Sequence, residues 1–227
     1  MTHELTLTQL LDKNRQATRP DDTPLNSIAI KLHLKEPEFA VDILYQAMRP
    51  NICRVDVQME GKTVFVEAYS GEFAWQIPGN QAPVVASAEG TDALLRGAIG
   101  NLYALSDFSD FGYQLEMGDQ CLIEEALYYP VKVTFDGGHV VHYYMDAQSF
   151  LITLKREEHA LHPDIDATVQ STETRYFDFR DVDGFKWAFR SEKKDLQTGN
   201  IIQEDFLRDV VINPSLKAEI FQMPTTT

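Results

Sequence analysis

Residues 143–157 read YYMDAQSFLITLKRE, and residues 174–189 read TRYFDFRDVDGFKWAF. Tyr143, Tyr144 and Met145 end one strand, residues 146–149 turn the chain, and residues 150–155 return alongside. After a polar break, residues 174–181 are rich in the aromatic and β-branched types that suit a pleated, half-buried surface. Asp183-Gly184 between apolar runs is a two-residue hairpin signal. Residues 185–190 form the return strand. The stretch is an antiparallel meander, and the rest of the chain reads as more of the same with one helix laid across it.

Upstream, residues 27–34 alternate Ile28, Ile30, Leu32 and Leu34 against Ala29, Lys31 and His33, the period of a half-buried strand. Further strands are expected over 40–48, 52–59, 63–69 and 73–77, with turns at 36–38, 60–62 and 70–72. Downstream they are expected over 113–117, 121–126, 131–135, 140–145 and 203–212, with a Gly-rich turn at 136–138. Residues 19–24, 78–89 and 107–112 read as irregular, and residues 157–170 as a polar insertion between strands. Two segments depart from this period. Leu5, Leu7, Leu10 and Leu11 share one side of a helix that runs to about residue 17, with Thr6 and Gln9 as a capping box. Leu94, Leu95, Ala98, Ile99, Leu102 and Leu105 recur at helical spacing behind Thr91 or Asp92 as the cap. Gly97 and Gly100 inside that second helix cost about 1 kcal/mol each relative to alanine, so it needs tertiary packing to persist. A short helical turn before Pro224 ends the pattern. The sum is about ten antiparallel strands, a number that twist forces to curl or close. The expected fold is mainly β in one domain over residues 1–227: a single strongly curved antiparallel sheet, an unclosed half-barrel, with a helical lid on its concave face.

The chain has 227 residues and a formal net charge of −15, which excludes a nucleic-acid partner and charge-driven docking on an anionic membrane face. No apolar run is long enough to span a bilayer. Residues 1–4 do not open a signal peptide; the chain is cytosolic, or a leader has been replaced by a start methionine. Cys53 and Cys121 do not make a disulfide framework, and both are expected as buried, reduced thiols.

Three places carry a family likeness. Arg49-Pro50-Asn51 stands at a strand end, followed by Ser70-Gly71-Glu72-Phe73-Ala74-Trp75. Tyr143 to Asp146 have a strand on each side. Residues 176–184, YFDFRDVDG, are followed at the C-terminal end by Phe221-Gln222-Met223-Pro224. In this order they resemble the bacterial outer-membrane lipoprotein-carrier (LolA-like) superfamily. The last signature is closer to its lipoprotein-sorting-like members than to the carrier. The resemblance implies an unclosed half-barrel whose lid covers an apolar cavity for acyl chains or a hydrophobic peptide, and a periplasmic location. It further implies that Arg49 bonds lid groups in the closed state, so that the cavity opens on loading. The cavity and lid residues so marked are Arg49, Phe65, Trp75, Leu94, Leu95, Ile99, Leu102, Tyr144, Phe177 and Trp187. Trp75, Phe65, Tyr144, Phe177 and Trp187 alternate along strands, and by residue type they read first as aromatic core rather than as cavity lining.

Chemistry has little support in the sequence. His139 and His142, three apart on a strand, point to opposite faces, and His159 with His162 has no third ligand nearby. Glu124-Glu125 and Asp181/Asp183 are not arranged as acid pairs. No nucleophile elbow, zincin motif or phosphate loop occurs. No catalytic residue, cofactor or metal is expected. The function expected is non-enzymatic carriage of a lipid-modified or otherwise hydrophobic ligand, with a lipoprotein as one such partner. The alternative is an envelope regulatory or scaffold protein that binds a protein partner through the same sheet.

Overall fold

The computed structural model describes residues 5–19 and 23–225, with Leu161 by its backbone alone. The expectations for residues 1–4, for part of the loop at 19–24 and for the last two threonines lie outside the described residues. The strands are β1 (Ser27–Lys35), β2 (Ala40–Met48), β3 (Ile52–Met59), β4 (Lys62–Tyr69), β5 (Ala74–Pro78), β6 (Val84–Val85), β7 (Gln114–Met117), β8 (Cys121–Ile123), β9 (Ala126–Thr134), β10 (Val140–Asp146), β11 (Ile152–His162), β12 (Asp166–Val182), β13 (Phe185–Asp195) and β14 (Ile201–Ile212). They are joined in one antiparallel sheet that is not closed into a barrel. The helices are α1 (Leu7–Thr18) and α2 (Ala88–Leu102), with 3-10 turns at Leu105–Phe111, Asp136–Gly138 and Ala218–Phe221.

The chain forms two compact units. The first holds α1, residues 104–159 and residues 169–202, with strand order β13-β12-β11-β10-β9-β7 and β8 paired to β9. The second holds residues 24–103, residues 160–168 and the chain from Gln203 onward, in the order β6-β5-β4-β3-β2-β1-β14.

Local chemistry explains most boundaries. The capping box forms: Gln9 N donates to Thr6 Oγ1 at 3.3 Å and Thr6 N to Gln9 Oε1 at 3.0 Å. The turn after β10 is held by Asp146 Oδ1, which accepts from Gln148 N, Ser149 N and Ser149 Oγ. Asp183 and Gly184 both take positive φ, 51° and 84°, as a hairpin between twisted strands requires. In the first unit, Phe108, Tyr113 and Phe135 pack as a ring cluster beside fully buried Val131, Val133 and Met145.

Four expectations are corrected. Among the described residues the strands number fourteen rather than about ten. Residues 157–170 are not an insertion but belong to β11 and β12, joined at Pro163-Asp164, where Ile165 N donates to His162 O at 2.9 Å. Part of the polarity that suggests a loop is pairing with neighbours, as Glu157 does with Lys155 and His139. Residues 121–126 break at Glu124, whose φ is +54°, so that β9 starts at Ala126 and runs through Pro130. Finally, α2 begins at Ala88 because Ser87 caps it, its Oγ accepting from Gly90 N at 3.0 Å. Thr91 Oγ1 instead accepts from Ala74 N on β5, at 3.3 Å. The helix also ends at Leu102, and the chain continues as the 3-10 turn at Leu105–Phe111, where an irregular segment was expected.

Candidate functional site

Paired residues on antiparallel neighbours share a face, and so do alternate residues along a strand. The registers of β1 to β5 therefore separate two surfaces in the second unit. One carries Ile28, Ile30, Leu32 and Leu34; Val41, Ile43, Tyr45 and Ala47; Cys53, Val55 and Val57; Phe65, Glu67 and Tyr69; and Ala74 and Gln76. The other carries Lys31, His33, Asp42, Gln46, Arg54, Asp56, Ala68 and Trp75. The first face is apolar almost throughout; the second is mixed, with charged and polar residues on β1 to β3 and a buried apolar cluster of Val66, Ala68 and Trp75, flanked by Ile77, Phe73 and Met223. Helix α2 packs on β2 to β5 from the apolar side.

The lid lies on this face by Ala98, Ile99 and Leu102, all buried, while Gly97 and Gly100 are exposed. A Cβ added at either glycine meets open space, so neither is required by close packing. Polar bonds fasten the helix along its length. Arg49 Nη2 donates to Leu102 O at 3.3 Å, and its guanidinium stacks over Tyr103 at 4.2 Å. Tyr45 Oη reaches Gly97 O at 3.4 Å, and Cys53 Sγ reaches Leu94 O at 3.5 Å. At the N-terminus, Asp164 from the tip of the β11–β12 hairpin accepts from Ser87 N at 2.9 Å. That contact favours a carboxylate at the positive end of the helix dipole. Gly90 makes room for it, since a Cβ there would lie 2.1 Å from Asp164 Oδ2. The lid is thus pinned at both ends by charged side chains.

The lid does not cover the whole apolar face. Ala47, Cys53, Tyr69 and Ala74 are buried, but Leu32, Leu34, Ile43, Val55, Val57 and Phe65 on the same face are only half-buried. Among them sits one carboxyl group, Glu67. Burial, and then the nearby Asp164, push its pKa up to about 7. Burial also pushes the Cys53 thiol up to about 12, against the backbone bond from Tyr69, which lowers it.

Of the residues expected to line a cavity, Arg49, Phe65, Leu94, Leu95, Ile99 and Leu102 lie in the second unit, Phe65 on the face that α2 packs against and Arg49 bonded to the end of α2. Leu94 and Leu95 are half-buried, and Ile99 is 1% exposed. Trp75 lies on the opposite face, fully buried, with its indole N–H donating to Phe221 O at 2.9 Å under the C-terminal turn. Tyr144, Phe177 and Trp187 belong to the first unit. Tyr144 meets Tyr128 edge-on and lies beneath Arg156; Phe177, 37% exposed, lies beneath Arg190. Sequence reading missed Tyr45, Glu67 and Asp164. The alternation of β4 does place Glu67 with Phe65, and this was the available signal.

Cys53 and Cys121 are both free, but only Cys53 is buried; Cys121 is half-buried, which corrects the expectation for it. Ellman's reagent is therefore expected to titrate one thiol in the native protein and a second only after denaturation. Two prompt thiols would show that the lid does not shield Cys53. Among the described residues no group of three or more His, Cys, Asp or Glu is placed to hold a metal ion, and no helix is long and apolar enough to cross a membrane.

No protein-family model and no curated protein sequence matches the chain. Solved structures do. A LolA superfamily protein from Nitrosomonas europaea aligns over 96% of this chain and 98% of its own, with a TM-score of 0.64 and 15% identity. A lipoprotein-sorting-like domain from Vibrio parahaemolyticus aligns over 94% of both chains, with a TM-score of 0.62 and 11% identity. A DUF1329 family protein from Desulfovibrio piger aligns over 94% of both, with a TM-score of 0.62 and 8% identity. At these identities the likeness is one of fold.

Proposed function

We propose that the protein is a non-enzymatic carrier that binds an acyl-bearing or otherwise hydrophobic ligand between α2 and the apolar face beneath it. The observation that supports this reading most is the half-buried strip of Leu32, Ile43, Val55, Val57 and Phe65 on the same face as the lid. An apolar surface that its own chain leaves partly uncovered gains from an apolar partner. Each methylene buried contributes about 0.8 kcal/mol, so an acyl chain supplies on the order of 10 kcal/mol before ordering costs are subtracted. Ala98, Ile99 and Leu102 pack the lid onto the face, while Leu94 and Leu95 are only half-buried and polar bonds hold its ends, an arrangement that suits a cover that lifts. The fold likeness to LolA superfamily and lipoprotein-sorting-like proteins is the basis for placing the protein in the bacterial periplasm, with lipoproteins as candidate cargo.

The test is titration with a dansyl-labelled fatty acid, whose emission rises and shifts to the blue in an apolar site. Saturable binding is expected. Phe65→Glu is expected to weaken it by about tenfold or more, because the charge must be desolvated where the tail lies. As Phe65 is only half-buried, melting should fall by a few degrees at most. Absence of probe binding by the wild type would remove the carrier reading and leave a protein partner as the occupant of this face.

A further inference from the structure

The apolar face of the second unit is laid out in rows that cross the strands. Leu32 on β1, Ile43 on β2, Val57 on β3 and Phe65 on β4 stand side by side and are half-buried. The adjacent row runs Ile30, Tyr45, Val55, Glu67 and Gln76, and its Tyr45 reaches the lid at Gly97 O. The row after that, Ala47, Cys53, Tyr69 and Ala74, is buried, with Cys53 against Leu94 O. Glu67 and Gln76 therefore stand on the border between the uncovered row and the part of the face that the lid shields.

Both side chains are half-buried neighbours on β4 and β5, and among the described residues neither has a hydrogen bond or ion pair within the chain. Valine at position 67 would continue the apolar face and avoid the cost of desolvating a carboxyl group. The charge around Glu67 has one sign. Asp164 acts on it and is itself held at Ser87 N, at the start of α2. The lid brings Glu89, Asp92 and Arg96, and none of these is among the charges acting on Glu67. Tyr45, Cys53 and Tyr69, the other titratable groups of these rows, are kept neutral at pH 8 by burial. An acceptor pair with negative potential, open toward an apolar row, is matched by a ligand whose polar end is a cationic donor.

We propose that Glu67, with Gln76 beside it, makes this site selective for a hydrocarbon chain that carries a protonated amine, and sets it against one that carries a carboxylate. The tail lies along Leu32, Ile43, Val57 and Phe65. The ammonium donates to the Glu67 carboxylate, with the Gln76 amide oxygen as a second acceptor. A carboxylate head would meet Glu67 and Asp164 with its own sign of charge. The inference rests on the reading that the protein binds hydrophobic ligands under α2, and the experiment separates the two. The probes are decylamine, 1-decanol and decanoate below their micelle concentrations, each titrated by displacement of Nile red at pH 8, where Glu67 is ionised. The wild type is expected to bind the amine about tenfold more tightly than the alcohol, and decanoate about tenfold less tightly, the scale of one charge-assisted hydrogen bond at a half-exposed site. In Glu67→Gln the three affinities are expected to fall within about threefold of one another, the remainder being the screened effect of Asp164, while the melting temperature holds or rises. Equal affinities in the wild type overturn the selectivity and leave the carrier reading standing. A preference for the amine that survives Glu67→Gln overturns the role given to Glu67. So does a variant that melts lower, since the carboxyl group would then be serving the fold. Failure of all three compounds to displace the dye overturns the selectivity together with the carrier reading.

Discussion

Arg49→Leu is expected to bind a fatty acyl probe about 10- to 100-fold more tightly than the wild type, and to release it correspondingly more slowly. The reasoning starts from what holds the lid. Arg49 donates to the Leu102 carbonyl at 3.3 Å and stacks on Tyr103, and its Nε is buried without a hydrogen-bond partner. A charged hydrogen bond contributes about 1.5–3 kcal/mol and a cation–π contact about 0.5–1 kcal/mol. Both exist only while the helix is down. If the tail must enter beneath the helix, the competent form is the lifted one, and apparent affinity falls by the fraction of molecules in that form. Leucine removes both interactions and leaves the lifted form unaffected. Arg49→Lys keeps a charge and a donor but loses the planar stack, so it should lie between the two. The measurements are equilibrium titration and a stopped-flow chase with excess unlabelled fatty acid. Unchanged affinity and release, alongside a lowered melting temperature, would mean that Arg49 only closes a strand end.

The sheet was legible because its alternation is nearly unbroken: Ile28 to Leu34 and Val41 to Ala47 each assign their own faces, and Asp183-Gly184 fixes a turn by backbone chemistry alone. The hairpin of β11 and β12 was not, because its strands are polar on both faces. Arg156 and Glu173 satisfy each other across one face, and Lys155 and Glu157 along the other. Residues 157–170, the part of the hairpin read as an insertion, mix polar side chains with Pro163 and show no period-two hydrophobic signal. Helix α2 was found by its apolar spacing but given the wrong cap, since Thr91 is committed to the Ala74 backbone and Ser87 is free to cap. The lid face was legible in part. Phe65, Leu94, Ile99 and Leu102 follow from periodicity, and Arg49 from its place before Pro50. Trp75 is core, as its residue type suggests, and not cavity lining; an aromatic in a short strand gives no sign of which side the helix takes. Asp164 reaches Ser87 across a long sequence separation, and no local pattern encodes that. The pairing of His139 with His159 likewise comes from neighbouring strands, whereas the sequence offers only His139 with His142.

Replacing Glu67 with Gln is expected to remove a pH dependence from the stability of the protein. Glu67 lies on the lid face, opposite Val55 on β3 and Gln76 on β5, with Asp164 and Cys53 as its electrostatic neighbours. Burial and Asp164 raise its pKa from 4.5 to about 7. Between those values the folded chain holds a proton that the unfolded chain has released. Stability from this group is therefore full below pH 4.5, declines as pH rises, and levels off above about 7. The shift corresponds to on the order of 3 kcal/mol, or about 5–10 °C in melting temperature for a chain of this size. His159 works in the opposite direction. Its depressed pKa costs stability as pH falls below its unfolded value of 6.5, so a wild-type curve alone mixes the two. The informative quantity is the difference between Glu67→Gln and wild type, measured by thermal melting from pH 5 to pH 8. That difference should be small at pH 5 and should grow to about 5–10 °C in favour of the variant at pH 8. Asp164→Asn should produce part of the same gain at pH 8, since it removes the second cause of the shift but not the burial. It should also speed amide exchange over residues 88–91, because the neutral side chain no longer complements the helix N-terminus. A difference between Glu67→Gln and wild type that does not change with pH would mean that Glu67 is solvated, and that water reaches this part of the face beside the lid.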